Sequence, residues 1–210
     1  MLIVLMKFSV FVSEALNVAG VPFCEQPPIK LDLPVWSLST LNDDYKTTNM
    51  NIVTYATQVG IKPLPVFAIS LFKGTLSFDN FKRNGWGALQ LLPNSGYNVV
   101  NILGKQSGRD YDKVQILRDL GVSLSPILIS SGRDQTESSD IDASLLIMNQ
   151  SPMILLVENL NQDYPALDVG DHEVILCQVS RVISFAEKEP QIPSTTSYLT
   201  TKTLRDIKLI

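Results

Sequence analysis

Apolar residues between positions 33 and 92 recur in short runs of strand length, which prolines, glycines and polar turn residues separate. The runs are rich in β-branched, aromatic and aliphatic residues, a composition typical of strands. The predicted strands are Val35–Thr40, Met50–Val59, Val66–Phe72 and Trp86–Leu92. Pro34 indicates where the first begins, because proline cannot donate to a sheet and is tolerated at the first residue of a strand. Residues 33 to 92 are therefore predicted to form the strand-rich half of a β-barrel.

Three further segments have the pattern of helices. They are Leu76–Asn84, Asn94–Leu103 and Arg109–Leu120, and each is followed by a glycine (Gly85, Gly104 and Gly121). Glycine directly after the last turn is the usual helix terminator. In the third segment Val114, Leu117 and Leu120 form one apolar stripe with Ile116, which predicts that this helix covers part of the core.

The second half of the chain begins polar and then returns to strand patterns. Residues 130 to 143 are rich in Ser, Asp and Gly, which is typical of a solvated excursion or lid. The later strands are predicted at Ser144–Asn149, Met153–Asn159 and Val174–Phe185. In the last of these one face carries Ile175, Cys177, Val179, Ile183 and Phe185. We expect one domain over residues 33–210, with a helix and lid insertion at 108–170 and an N-terminal arm at 1–32.

The predicted strand Met50–Val59 lacks clean alternation. One face carries Asn51 and Thr57, and the other carries Thr54 and Gln58, all among apolar neighbours. Buried amides and hydroxyls need hydrogen-bond partners. Two interpretations stay open here: the partners lie inside the protein, which is the more common case, or they belong to a flat ligand with a polar rim.

Composition excludes several kinds of site and partner. A formal net charge of −4 and a pI near 5.0 do not show the excess of basic residues that is typical of nucleic-acid-binding proteins. Nucleic acid is therefore not an expected partner. Two cysteines far apart in sequence and a single histidine, His172, predict neither a disulfide framework nor a metal site. A reducing compartment, the cytoplasm, fits this composition.

The first 20 residues are apolar but are interrupted by charged and polar side chains such as Lys7 and Glu14. A membrane span needs about 20 predominantly apolar residues, and a secretory signal begins with a basic region that is absent here. We therefore expect an arm that packs on the domain or on a second subunit, and no membrane partner. A plastid-targeting segment is the alternative for this stretch.

Several short motifs follow one another in a recognisable order. They are Pro34–Thr40, Asn49–Val59, Pro63-Leu64-Pro65, Ser70-x-x-Lys73-x-Thr75, Gly87–Leu92 and Gly170-Asp171-His172. Through them residues 33–210 resemble the flavin reductase-like, FMN-binding split-barrel family. The similarity is greatest to the branch found in plants and cyanobacteria, in which Leu103-Gly104-Lys105-x-Ser107-Gly108 also recurs. The resemblance implies a mainly β fold, an antiparallel Greek-key split barrel with peripheral helices.

The resemblance also implies FMN as the cofactor and assigns candidate residues to it. FMN needs donors and positive charge for its phosphate and hydrogen bonds along the edge of its ring. Ser70, Lys73 and Thr75 are the candidates for the phosphate. Asn51, Thr54, Ala56 and Thr57 are the candidates for the polar edge of the ring, Ala56 through its backbone. For the phosphate set the alternative is an exposed turn lysine beside a threonine that caps a helix.

His172 is the candidate catalytic residue, because the resemblance places it near the reactive face of the flavin. It would orient a nicotinamide or transfer a proton; a capping role at the start of a strand is the alternative. The family also implies a homodimer with the flavin at the subunit interface. The implied function is an oxidoreductase that passes hydride from NAD(P)H to FMN. Val53 and Val59 stand where reductases carry small polar residues, so a non-catalytic flavin carrier or sensor stays open, as does a structural dimer.

Overall fold

The computed structural model describes residues 30–129, 143–161, 163–184 and 198–210. Almost all of the N-terminal arm, almost all of the polar segment and Phe185 lie outside the described residues, so the predictions made for them stay predictions. From Asp32 onward the chain forms one compact unit. Its strands are β1 (Trp36–Leu41), β2 (Thr48–Val53), β3 (Ala56–Gly60), β4 (Val66–Phe72), β5 (Trp86–Leu91), β6 (Leu124–Ile129), β7 (Ala143–Met148), β8 (Met153–Asn159), β9 (Leu167–Asp168) and β10 (His172–Ser184).

The helices are short and lie around the strands. They are α1 (Leu76–Asn84), a 3-10 helix (Asn94–Val99) that continues into α2 (Val100–Lys105), α3 (Lys113–Asp119) and α4 (Thr201–Asp206). The first has the predicted bounds: Thr75 caps its start and Gly85 ends it with a positive φ of 77°. None of the described helices is long and apolar enough to cross a membrane.

The main sheet is antiparallel throughout, with strand order β2-β1-β5-β8-β10-β4-β3, and β9 pairs with β10. Its two edge strands, β2 and β3, are neighbours in the chain, so the sheet curls until its edges approach each other. A separate hairpin of β6 and β7 packs outside it. The predicted fold, a mainly β antiparallel split barrel with peripheral helices, is confirmed.

The predicted strand Met50–Val59 is two strands in the structure. Pairing with β1 ends at Val53, the chain bends at Thr54 and Tyr55, and pairing with β4 begins at Ala56. The two halves therefore lie at opposite edges of the sheet, where their side chains meet different surroundings. This explains why no single alternation fits residues 50 to 59.

The inside of the curled sheet is filled by alternate residues of its strands together with Phe81 of α1, which is fully buried. Helix α1 lies close against the sheet because position 87 is a glycine. A Cβ at Gly87 would lie 2.9 Å from the Leu38 side chain and 3.2 Å from the Phe81 ring. The aromatic ring and the glycine together fix the position of α1, whose start borders the candidate site.

Three further sequence predictions are wrong in their details. The second helix was predicted to end before Gly104, but α2 runs through this glycine to Lys105. The apolar stripe of α3 was predicted to include Leu120, but the helix ends at Asp119, and Leu120 lies beyond the last turn and is exposed. Its buried residues are Val114 and Leu117, together with Lys113.

In β10, a change of register between Val179 and Arg181 reverses the alternation. Ile175, Cys177 and Val179 face the inside of the sheet, whereas Ile183 packs against the cluster under the β6–β7 hairpin. Strand β6 itself was not predicted, because Pro126 lies in its middle.

Candidate functional site

The bend between β2 and β3 forms the first of two neighbouring cavities. Tyr55 accepts a hydrogen bond through its backbone oxygen from the Ser70 amide at 2.8 Å, which fixes the bend against β4. The cavity beside it has a volume of about 230 Å³. Its lining, mostly apolar, comprises Leu33, Thr54, Tyr55, Ala56, Thr57, Ala68, Ser70 and Val174. We call it the bend cavity.

The second cavity has a volume of about 390 Å³ and a more polar lining. Asn49 and Asn51 of β2 form one side, and Thr75 and Ser77 at the start of α1 form another. The end of α2 with the loop that follows it (residues 104–108) and the Lys113 side chain complete it, and Phe72 lies at its border. We call it the Lys113 cavity.

Lys113 is the most unusual residue of this cavity. Only 3% of it is exposed, although it carries a charged side chain at the first position of α3. Its ammonium group donates to the Leu103 backbone oxygen at 2.8 Å and lies 3.4 Å from Asn51 Oδ1. Among the described residues it has no carboxylate partner. Burial lowers the pKa of Lys113 to about 8.

A buried cation with neutral partners is costly, since it gives up hydration without gaining an opposite charge. Natural sequences accept such a cost mainly where the group has a task, so a buried, unpaired lysine with a lowered pKa beside a cavity is a candidate functional residue. The group it would bind best is an anion small enough to enter the cavity.

The walls of the Lys113 cavity are held by specific contacts. Asn49 donates from Nδ2 to the Ser77 hydroxyl at 2.8 Å, which connects β2 to α1. Gly108 lies directly against the Asn49 side chain and leaves no room for a Cβ. Arg109 forms an ion pair with Asp79 of α1, which connects the loop to the same helix. The walls of the cavity are thus formed by elements that are bonded to one another.

The structure separates the three residues predicted for a phosphate. Thr75 lines the Lys113 cavity, where its hydroxyl also caps α1 by accepting from the Phe78 amide at 3.2 Å. Ser70 lines the bend cavity. Lys73 lies outside the lining of both cavities and forms an ion pair with Asp168 at 2.6 Å. That hydrogen bond holds the pKa of the Asp168 carboxyl below its usual value.

The residues predicted for the ring edge are also divided. Thr54, Ala56 and Thr57 all line the bend cavity, whereas Asn51 lines the Lys113 cavity. Because Asn51 belongs to β2 and the other three follow the bend, the same segment of chain supplies residues to both cavities. The two cavities therefore share this segment as part of their walls, and we take them together as the candidate site.

His172 lies at the start of β10, and its ring is held on three sides. Nδ1 lies 2.8 Å from Asp171 Oδ1, and this hydrogen bond holds the pKa of the Asp171 carboxyl below its usual value. The rings of Tyr55 and Phe72 contact the imidazole edge-on, with centroids at 6.0 and 5.5 Å. Tyr55 lines the bend cavity and Phe72 lines the Lys113 cavity, so His172 contacts one lining residue of each cavity without lining either itself.

Several residues of the site were not identified as site residues from the sequence, among them Lys113, Asn49, Tyr55 and Phe72. For Lys113 a signal was present, because it precedes Leu117 by four residues and therefore lies on the buried face of the predicted helix. A lysine on the apolar face of an amphipathic helix is a reason to look for a ligand. Asn49, Tyr55 and Phe72 gave no such signal.

The chain matches no protein-family model and no curated protein sequence. Solved structures with a similar fold do exist. An FMN-binding protein from Thermus thermophilus has a TM-score of 0.56 at 17% identity, covering 76% of this chain and 77% of the other.

Two further structures have the same fold. The styrene monooxygenase flavin reductase from Pseudomonas putida has a TM-score of 0.51 at 16% identity, covering 75% of this chain and 82% of the other. An NADH:FAD oxidoreductase from Streptomyces globisporus, in complex with NAD and FAD fragments, has a TM-score of 0.53 at 12% identity, covering 76% and 79%. The chain therefore shares the split-barrel fold of these proteins.

Proposed function

We propose that this protein binds FMN and acts as a flavin reductase-like oxidoreductase that accepts hydride from NAD(P)H. The observation that carries the proposal is the Lys113 cavity, in which a buried lysine faces amide and hydroxyl groups and has no carboxylate partner among the described residues. The likeness in fold to proteins that bind FMN or FAD adds support.

The two cavities fit the two chemical parts of FMN. A phosphate requires positive charge and hydrogen-bond donors, which Lys113, Thr75 and Asn51 supply around one cavity. A flavin ring requires an apolar surface with polar groups at its edge. The bend cavity offers that combination through Ala56 with Thr54 and Thr57.

We also assign roles in ligand binding to Ser70 and Lys73, for different reasons. Ser70 lies with Thr57 in the bend cavity and would contribute to the ring or ribityl portion. Lys73 would approach a phosphate only by leaving Asp168, so we assign Lys113 the larger share of phosphate binding.

A bound flavin would supply the hydride chemistry, and the protein would supply position and a proton. His172 suits the second task, because the Asp171 carboxylate occupies Nδ1 and leaves Nε2 free to exchange a proton with a ligand. The Tyr55 and Phe72 rings restrict the rotation of the imidazole. These contacts support His172 as the catalytic residue of the proposed reaction.

Anaerobic mixing with NADH or NADPH tests this function. The wild-type protein is expected to quench the fluorescence of added FMN, and a reduced nicotinamide is expected to bleach the bound flavin. We predict that His172→Asn keeps the FMN dissociation constant within about threefold but slows bleaching on the order of 100-fold, the usual size of a general acid–base contribution. Asp171→Asn serves as a milder comparison, because it changes only the partner of Nδ1.

The outcomes separate the candidate functions. If FMN binds but neither nicotinamide bleaches it, the protein is a flavin carrier or sensor, the function that Val53 and Val59 favour. If His172→Asn bleaches as fast as the wild type, His172 has no catalytic role. If FMN fluorescence is unchanged by the wild-type protein, the flavin proposal is wrong.

We also propose a homodimer, supported by the exposed apolar residues along β3, the β3–β4 turn and β9. They are Tyr55, Val59, Ile61, Leu64, Leu167 and Val169. Such a group of exposed apolar side chains beside an edge strand is typical of a protein interface. A second copy of the chain would cover them and border the bend cavity.

If the homodimer forms as proposed, a charged side chain placed in its interface should weaken it. Ile61→Asp is expected to shift sedimentation from dimer to monomer and to raise the dimer dissociation constant at least tenfold, because a carboxylate would be desolvated on association. Leu128→Asp, at an exposed apolar position on β6, is the matched control and should leave the dimer intact. A wild-type protein that sediments as a monomer contradicts the proposal.

We further infer that the chain belongs to the plant and cyanobacterial branch, on the basis of the Leu103–Gly108 motif, which forms the loop of the Lys113 cavity. The proposed location is the cytoplasm, with the plastid as the alternative. Fluorescence microscopy of a C-terminal fusion of the full chain distinguishes the two compartments.

A further inference from the structure

Phe72 is an aromatic side chain at the last position of β4 and borders the Lys113 cavity. Nearly half of it, 49%, is exposed. A single exposed apolar side chain needs no explanation. Phe72, however, is held in place on two sides, unlike an exposed side chain that has no specific contacts.

Gly74 holds the ring on the first side. A Cβ at position 74 would lie 2.7 Å from Phe72 Cε1 and 3.4 Å from Cδ1 and Cζ, so the ring lies directly over the glycine backbone. A methyl group at this position would displace the ring. The glycine here supplies space for Phe72.

His172 holds the ring on the second side, with centroids 5.5 Å apart and planes inclined by 62°. This is a normal edge-to-face distance for aromatic pairs. With one side on Gly74 and another on His172, the ring has a defined position, and its exposed part lies at the border of the cavity that contains Lys113.

We propose that Phe72 is a ligand-contacting residue that packs against the planar ring system of a phosphorylated heteroaromatic compound whose phosphate lies at Lys113. This inference rests on the proposed function and narrows it: a ring that enters the bend cavity would also reach Phe72, which is linked to Tyr55 of that cavity through the His172 ring. The cavity supplies a site for the anion, and Phe72 supplies an apolar, polarisable surface at its rim. A ligand that has both a phosphate and a flat ring uses both, whereas inorganic phosphate or a sugar phosphate uses only the first.

The test compares FMN with ribose 5-phosphate, which carries the phosphate without a flat ring. Phe72→Ala is expected to weaken FMN binding on the order of 10-fold and to restore part of its quenched fluorescence. Ribose 5-phosphate binding, measured by calorimetry, is expected to change less than twofold. Gly74→Ala should weaken FMN in the same direction, because it displaces the ring without removing it.

Control variants distinguish the loss of the contact between Phe72 and the ligand from effects on folding or on the protein surface. Phe72→Leu retains apolar volume and should fall between the wild type and Phe72→Ala. Tyr97→Ala removes another half-exposed aromatic residue that lines neither cavity, and should leave FMN binding unchanged. Melting temperatures of all variants verify that each one is folded.

Three results overturn the inference. In the first, Phe72→Ala and Gly74→Ala bind FMN as tightly as the wild type does. This result would remove the role of Phe72 and leave the proposed function intact. The second is a change in oligomeric state of Phe72→Ala with an unchanged FMN dissociation constant, which assigns the ring to a subunit contact. The third is a wild-type protein that does not bind FMN, which removes the proposed function as well.

Discussion

Replacing Lys113 by methionine is expected to weaken FMN binding roughly 10- to 100-fold, the largest effect on FMN affinity that we predict for any single site residue. Hydrogen bonds to charged groups contribute about 1.5–3 kcal/mol each, and a buried cation is screened little by solvent. Fluorescence titration at pH 7 measures the change. Lys105→Met is the matched control, because Lys105 lines the same cavity but is exposed, and it should cost no more than about threefold.

The same substitution should not lower the stability of the protein. Burial lowers the pKa of Lys113 in the folded state to about 8, whereas the unfolded lysine keeps its ordinary value of 10.5. Between these values the unfolded chain binds more protons, so this group makes the free energy of unfolding rise as pH increases from about 8 to 10.5. Below pH 8 the charged lysine only opposes folding. Methionine removes both the cost and this pH dependence.

FMN binding is expected to follow the charge of Lys113. As pH rises above about 8, the free protein loses the proton from Lys113, and the apparent affinity should fall by up to about tenfold per pH unit. Below about pH 6 the phosphate itself gains a proton and loses half of its charge. The wild-type profile should therefore be highest between these limits, and Lys113→Met should show no decrease near pH 8.

Two results would contradict this assignment. One is Lys113→Met binding FMN as tightly as the wild type, which would move the phosphate to another cation such as Lys73. The other is a large loss of stability in Lys113→Met, which would make the lysine a structural residue whose bond to Leu103 holds α3 in place.

Replacing Phe81 by alanine is expected to lower the free energy of unfolding by about 3–5 kcal/mol. The ring is fully buried among strands of the sheet, and the neighbouring Gly87 has no side chain that could fill the space. The backbone oxygen of Phe81 also accepts from Asn159 Nδ2 at 3.0 Å, which restricts movement of α1 toward the cavity that the substitution leaves. Urea denaturation measures the loss.

Tyr97→Ala, at a half-exposed aromatic position, is the control and should change stability by less than about 0.5 kcal/mol. FMN at a hundred times its dissociation constant should raise the stability of both wild type and Phe81→Ala by about 2.7 kcal/mol. At that same FMN concentration Lys113→Met should be stabilised much less. A loss below about 1 kcal/mol in Phe81→Ala would mean that α1 is not held by its ring.

Short-range patterns in the sequence were sufficient for most of the fold. Helix α1 has its predicted bounds because a capping threonine and a terminating glycine act within a few residues. The bend at Thr54 and Tyr55 could not be predicted, since both halves of residues 50–59 have strand composition. What separates them is pairing with different partners, β1 and β4, far apart in the sheet.

The candidate site was predictable only where neighbours in sequence are neighbours in space. Thr54, Ala56 and Thr57 lie together because they follow one another along the bend. Ser70, Lys73 and Thr75 are equally close in sequence, yet β4 ends between them, so their side chains diverge. Lys113 reaches the cavity only because α3 packs against β2, a contact between residues about 60 positions apart.

The bend between β2 and β3 also limits the reach of the site. Asn51 in one cavity and Thr54 in the other are three residues apart, so the chain itself keeps their Cα atoms within about 11 Å, whatever the packing around them. The span available to a ligand that contacts both is thus set by covalent length. Core substitutions would leave that span unchanged, whereas an inserted or deleted residue between Val53 and Ala56 would alter which ligands can bridge it.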